Sequence, residues 1–340
     1  MSVMTTLSVL DLAPVKAGSD TASALAEAAS LAQAAERAGY RRYWLAEHHN
    51  MAGIASAATA VVIGHVAAAT STIRVGAGGV MLPNHAPYVI AEQFGTLETL
   101  FPGRIDLGVG RAPGTDQLTA QALRRTLAGD IDGFPRDVVE LMAYFADAQA
   151  GQRVVATPGV GTHVPVWILG SSLYGAQLAA MLGLPYAFVS HFAPGDLEQA
   201  LTIYRREFRP SEHLAKPHVM LGCSAYCAPT EAEARLLASS MEQAFVNLRM
   251  GRTGKLPAPV EGFTKTLPPE ARAMLAQALN ASFVGTPDQV GAGLTAFAAR
   301  HGADELMVTA GIHDPAARVR SFELTMQAFT ASHGAVRAAA

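Results

Sequence analysis

The feature that most constrains this chain is an alternation repeated along it, in which short runs rich in β-branched and aromatic residues are each followed by a longer run dominated by alanine and leucine. Consecutive strand–helix units have this form, and they build a parallel sheet covered by helices. Eight strands are read: Leu7–Ala13, Arg42–Glu47, Ile73–Val80, Ile105–Gly110, Val164–Gly170, Tyr186–His191, His218–Ala225 and Glu305–Thr309. Several are apolar without alternation, as strands buried on both faces are. Three junctions share one arrangement, with Gly39 ahead of Arg42, Gly183 ahead of Tyr186 and Gly302 ahead of Glu305. Glycine there supplies the positive φ of a helix C-cap before the chain returns to the sheet. Right-handed crossovers repeated eight times favour an α/β fold closed into a (β/α)8 TIM barrel, with a doubly wound open sheet plus an added domain as the alternative. A length of 340 residues admits one barrel of about 250 residues with insertions, or two average domains.

Two stretches exceed a minimal barrel, residues 112–135 after the fourth strand and 251–286 after the helix that follows the seventh. Excursions of this kind sit on the C-terminal face, where barrel active sites lie, so each is expected to be a lid or a surface insertion supporting a dimer. Residues 332–340 read as a disordered tail. The apolar stretch 57–70 is too short to span a bilayer and reads as a buried helix, with His65 as a core or interhelical histidine. A net charge of −3, without a cluster of Lys and Arg, gives no footprint for nucleic acid or an anionic membrane. Cys223 and Cys227 make half a zinc site at best, no metal is expected, and reduced thiols fit a cytoplasmic protein. The first four residues lack the basic region of a signal peptide.

Nucleotide motifs fail in detail. Gly108-Val109-Gly110-Arg111-Ala112-Pro113 opens like a dinucleotide fingerprint, but Pro113 stands where the third glycine belongs, and Gly254-Lys255 is followed by Leu256 rather than Ser or Thr. What remains is a set of polar residues at the C-terminal ends of strands. His48 and His49 are adjacent on an extended segment, so one can face the barrel mouth as a general acid or base; bonding of both to loop backbone is the alternative. Gly76, Gly78 and Gly79 leave room for a flat group against the third strand, or mark a bulge. Arg111 ends the fourth strand with a guanidinium suited to phosphate, or paired with Asp106 or Asp116. Gly170-Ser171-Ser172 opens a helix at Leu173 and offers free amides to an anion, or simply caps it. Arginine and helix start are neighbours on one rim, so together they would clamp one phosphate and imply a phosphorylated, planar cofactor. His191 either faces the same cavity or packs into the wall. Trp44 and Trp167, within strands, read as core.

Taken in order, Ala46-Glu47-His48-His49, residues 76–83, residues 104–111 and Ile168-Leu169-Gly170-Ser171-Ser172 closely resemble the bacterial-luciferase-like flavin-dependent monooxygenases. The likeness runs from Leu7 to Phe329 and is greatest to a single-chain branch with the motifs A-E-H-H-N and G-R-A-P-G-T-D. It implies a (β/α)8 barrel that uses reduced FMN and O2 to oxygenate a small organic substrate, with flavin supplied by a separate NAD(P)H:flavin reductase and a homodimeric assembly. By the resemblance His48 is the active-site histidine, Arg111 with Ser171, Ser172 and Leu173 holds the phosphate, and Gly78–Gly79 is a non-proline cis peptide beneath the flavin ring. His49 and His191 are candidate substrate contacts. The luciferase light-emitting subunit carries a reactive cysteine where this chain has Gly110, which counts against an aldehyde and light reaction. A deazaflavin in place of FMN, a non-catalytic flavin-binding protein and a sugar-phosphate barrel enzyme are the other readings.

Overall fold

A computed structural model describes residues 5–112, 117–123, 133–191 and 195–339. The strands are β1 (Thr6–Asp11), β2 (Arg42–Leu45), β3 (Arg74–Met81), β4 (Ile105–Gly110), β5 (Val166–Gly170), β6 (Tyr186–Phe188), β7 (Val219–Cys227), β8 (Ser282–Gly285) and β9 (Glu305–Thr309). The helices are α1 (Thr21–Ala38), α2 (Thr59–Ala69), α3 (Pro87–Leu100), α4 (Gln117–Leu123), α5 (Phe134–Phe145) and α6 (Leu173–Leu182), followed by α7 (Leu197–Glu207), α8 (Glu231–Arg249), α9 (Phe263–Thr266), α10 (Pro269–Ala278), α11 (Pro287–His301) and α12 (Pro315–Ala339). All strand pairs are parallel, and β1 through β7 followed by β9 form a closed ring of eight. The fold is therefore a (β/α)8 barrel, not an open sheet.

The expected strands are those of the ring, with ends moved by a few residues. β1 stops at Asp11 because its carboxylate accepts the Ala13 amide at 2.9 Å, turning the chain so that Ala13 takes φ 45°. The ninth strand, β8, was not anticipated. It lies inside the stretch 251–286 and pairs only with the upper end of β7, Ser224 to Cys227, outside the ring. The start of that stretch is docked on the C-terminal face: the Leu256 amide donates to the Val15 carbonyl at 2.9 Å, and the Ala17 amide donates back to Leu256 at 2.8 Å. Gly39, Gly183 and Gly302 cap α1, α6 and α11 in the left-handed region, as their positions predict. Against expectation, residues 332–339 continue α12 as helix. Most of 112–135 lies outside the described residues.

Alternation along the strands divides the core in two. Outward residues such as Val9, Val75, Leu107 and Leu221 pack under the helices, whereas Leu10, Trp44, Trp167, Ala187, Met220 and Met307 fill the barrel itself. Below that apolar layer, toward the strand starts, the barrel holds charge: Arg42 donates to Glu305 and to Asp106, at 2.7 Å each, and Arg74 donates to Asp106 at 2.6 Å. Trp44 and Trp167 meet edge to face at 5.2 Å, with the Arg42 guanidinium 4.8 Å from the Trp167 ring. Both tryptophans are core, and Trp44 also lines the cavity above. Cys223 and Cys227 are buried, and burial pushes both thiols up, Cys227 to about 11. Among the described residues no helix is long and apolar enough to cross a membrane.

The helix read as buried is not buried all round. α2 turns Val61, 73% exposed, and His65 outward, so His65 is a surface residue rather than a core histidine. In an almost wholly apolar helix the 3.6-residue period still leaves one face outside, and here it carries Val61 and Ala68 on either side of His65.

Candidate active site

Parallel pairing of Gly110 with Leu169 makes the chain leave β4 and β5 side by side, at Arg111 and Gly170. Helix α6 then begins at Leu173, and its N-cap, Ser172, is extended with a side chain that makes no capping bond. The hydroxyl and the first helical amides are thus open to an outside partner. Arg111 stacks over Tyr174 in the first turn of that helix, its guanidinium carbon 4.4 Å from the ring centroid. A guanidinium beside the positive end of a helix offers two attractions to an anion that enters between them. Asp106 is not the partner of Arg111, being bound to Arg42 and Arg74 at the other end of β4. Asp116 lies outside the described residues.

Beyond β2 the buried Glu47 ties two loops together. Its Oε1 accepts from His49 Nε2 at 2.7 Å and from His85 Nε2 at 2.9 Å, its Oε2 accepts the Met81 amide at 3.1 Å, and its own amide donates to the Gly79 carbonyl at 3.3 Å. Burial pushes this carboxyl up, but the bonds from His85, His49 and the Met81 amide outweigh it and hold the group below its ordinary range. Glu47, His49 and His85 bring three possible metal-ligand atoms within 4.8 Å of one another, although the carboxylate oxygen there already accepts from both rings.

The two adjacent histidines diverge, as an extended backbone requires. His49 bonds to Glu47 and, with Asn50, lines a groove facing Leu118 and Thr119 of α4. His48 turns inward. Burial lowers its pKa, opposed by the charge of Glu47 and assisted by His49, and its Nδ1 is enclosed with no hydrogen-bond partner among the described residues. His191 comes close enough that His48 adds to the depression of its pKa, which burial brings down to about 4. At neutral pH the mouth therefore holds two uncharged imidazoles.

Gly78 and Gly79 are joined by a cis peptide, and the β3–β4 register shifts at the same point, so the expected bulge and the expected cis bond are one feature. Neither position has room for a side chain: a Cβ at Gly78 would lie 2.8 Å from Leu10 Cδ1, and one at Gly79 would lie 2.7 Å from the Gly108 carbonyl oxygen. Gly78 lines an apolar cavity in the barrel mouth together with Leu10, Trp44, Met220, Met307 and His191. The structure thus brings His48, Gly78, Gly79, Arg111, Ser171, Ser172, Leu173 and His191 to one end of the barrel, and sets His49 apart in the outer groove. The clamping by Glu47 and the stack of Tyr174 on Arg111 escape a reading of the sequence. A lone carboxylate after the apolar run Tyr43-Trp44-Leu45-Ala46 was the only signal for the first.

One mouth of a parallel barrel thus gathers an arginine beside a helix start that no side chain caps, two buried imidazoles and a small apolar cavity. Residues 5–305 match the family model described as luciferase-like monooxygenase. The chain is 54% identical over 319 residues to a luciferase-like monooxygenase of Escherichia coli (strain K12), covering 94% of this chain and 95% of that one. It is 38% identical over 256 residues to the N-acetyl-S-alkylcysteine monooxygenase of Bacillus subtilis (strain 168), covering 73% and 75%. Among solved structures, apo-MsnO8 is 34% identical with a TM-score of 0.85, covering 96% of this chain and 99% of that one. The protein belongs to the luciferase-like monooxygenase family, whose members are flavin-dependent oxygenating enzymes.

Proposed function

We propose that this protein is the oxygenase of a two-component system, taking reduced FMN from a separate NAD(P)H:flavin reductase and using O2 to oxygenate a small organic substrate. The observation that carries the reading is the convergence of the Arg111 guanidinium, stacked on Tyr174, with the uncapped start of α6. Arg111, the amides from Ser171 to Leu173 and the Ser172 hydroxyl would hold the phosphate, and the Gly78–Gly79 peptide would lie against the ring. When bound, reduced FMN supplies the two electrons that convert O2 and substrate to oxygenated product and water. His48 then holds or moves one proton at its Nε2, and Leu10, Trp44, Met220 and Met307 keep water from the reacting atoms. The relative named for N-acetyl-S-alkylcysteine makes small thioethers the first substrates to try.

The test is flavin affinity. Arg111→Ala is expected to weaken FMN binding by about 1.5–3 kcal/mol, roughly 10- to 150-fold, as loss of a charged hydrogen bond does. Unchanged affinity on fluorescence titration removes the clamp. Tighter binding of a deazaflavin than of FMN would move the chemistry to hydride transfer, and flavin binding without any product from a thioether panel, with a generic reductase consuming NADH and O2, would leave a flavin-binding protein.

The outward apolar face of α2 points to a homodimer. Val61 there is 73% exposed, and covering it against a second copy would remove it from water. Sedimentation should find a wild-type dimer and a Val61→Asp monomer; a monomeric wild type rejects the assembly.

A further inference from the structure

After β6 the chain turns sharply and comes to rest on β7. The Ser190 amide donates to the Phe188 carbonyl at 3.0 Å, and the Ser190 hydroxyl donates to the Gly222 carbonyl at 2.6 Å. The next side chain, His191, lies on Gly222 itself: a Cβ at that position would collide with His191 Nδ1 and stand 2.9 Å from its Cε1. Gly222 alternates with Met220 on the inward face of β7, so the missing side chain is what lets an imidazole occupy the barrel mouth. Nδ1, pressed on the glycine, is enclosed with no hydrogen-bond partner among the described residues. An enclosed N–H without an acceptor costs more than an enclosed lone pair, so the ring's proton belongs on Nε2. Nε2 is also the one polar atom the ring has left to offer the cavity it lines. The direction of its pKa agrees, since burial first and His48 second keep it uncharged.

We propose that His191, seated on Gly222, is a specificity-determining hydrogen-bond donor that offers Nε2–H to the substrate and so selects apolar molecules bearing one uncharged acceptor, such as a carbonyl oxygen. The inference rests on the reading of this mouth as the substrate site and adds the substrate's chemistry to it. No side chain lining the cavity carries a formal charge: around His191 stand Leu10, Trp44, Met220 and Met307, with Ala187 behind them. A carboxylate or ammonium placed there would lose its hydration with nothing to replace it, whereas a single neutral acceptor meets a single neutral donor. His191 is thus a positioning residue for the substrate's polar end, distinct from the proton handling placed on His48.

The test uses the full chain and two probes of nearly equal size, the cyclic thioether tetrahydrothiopyran and its ketone, tetrahydrothiopyranone. Nitrogen NMR of histidine-labelled protein at neutral pH is expected to show His191, identified by its loss in His191→Phe, as the neutral Nε2–H form, with Nε2 shifted by the ketone and not by the thioether. The ketone should bind about tenfold more tightly than the thioether, and the preference should vanish in His191→Phe, which keeps a flat ring on the glycine, and in Gly222→Ala, which displaces it. A proton on Nδ1, a charged ring, binding of neither probe, or a ketone preference that survives His191→Phe each overturns the proposal. If the tautomer and the preference hold while FMN fails to bind, the cofactor reading falls and the donor stands.

Discussion

His48→Ala is expected to lower the rate of substrate oxygenation by about a hundred- to ten-thousandfold, the range for loss of a positioned general acid or base, while FMN affinity stays close to its original value. The separation follows from placement. His48 sits on the loop after β2, and the phosphate clamp sits after β4 and β5, on strands that do not touch β2. Because burial lowers the pKa of His48 below the ordinary 6.5, the imidazole takes up its second proton at a lower pH than an exposed histidine does. The acid limb of a kcat/KM profile should therefore lie below pH 6.5 in the wild type and disappear in the variant. A limb at or above 6.5, or a variant with near-normal turnover, would assign the proton handling elsewhere.

The same residue shows how far a sequence carries such a site. Strand alternation was enough to say that only one of His48 and His49 enters the mouth, because that depends on local geometry alone. The positions of Gly39, Gly183 and Gly302 were equally legible, since a helix C-cap is a property of a few consecutive residues. Glu47 was not. Its function arises where His49, Met81 and His85 converge, and no spacing in one segment encodes a meeting of three. Tyr174 is similar: its stack on Arg111 depends on the register of β4 against β5, set by pairing between residues some sixty positions apart. β8 was lost for a different reason. Its four residues, Ser-Phe-Val-Gly, carry too little pattern to be a strand alone and become one because β7 runs two residues past Ala225, exposing an edge to pair with. His65 failed because composition says how apolar a helix is but not whether every face is covered.

Arg42→Met should destabilise the barrel by about 3–5 kcal/mol at neutral pH, the cost of removing one partner from a buried ion pair. Arg42 is the only cation shared by Glu305 and Asp106 among the described residues, and all three side chains are under 5% exposed. Glu305 also accepts from the Ser8 hydroxyl, with His218 Nε2 3.7 Å away, yet a hydroxyl and a ring at that distance do not replace a guanidinium bonded at 2.7 Å. Burial pushes Glu305 up, and Arg42 overcomes this, with help from His218 and Ser8, to bring the carboxyl from 4.5 down to about 2. A carboxyl depressed in the folded state stabilises it above pH 4.5 and loses that contribution as pH falls toward 2, a swing of about 3 kcal/mol by linkage. Without Arg42 burial acts unopposed by that cation, Glu305 takes up a proton at higher pH, and the deficit of the variant should shrink as pH is lowered from 7 to 5. Urea unfolding at the two pH values measures both effects. A loss below about 1 kcal/mol at pH 7, or a deficit that grows on acidification, would mean the charges are solvated and the barrel floor is wet. Since the network lies at the strand starts, opposite the mouth, folded Arg42→Met protein should still bind FMN as the wild type does.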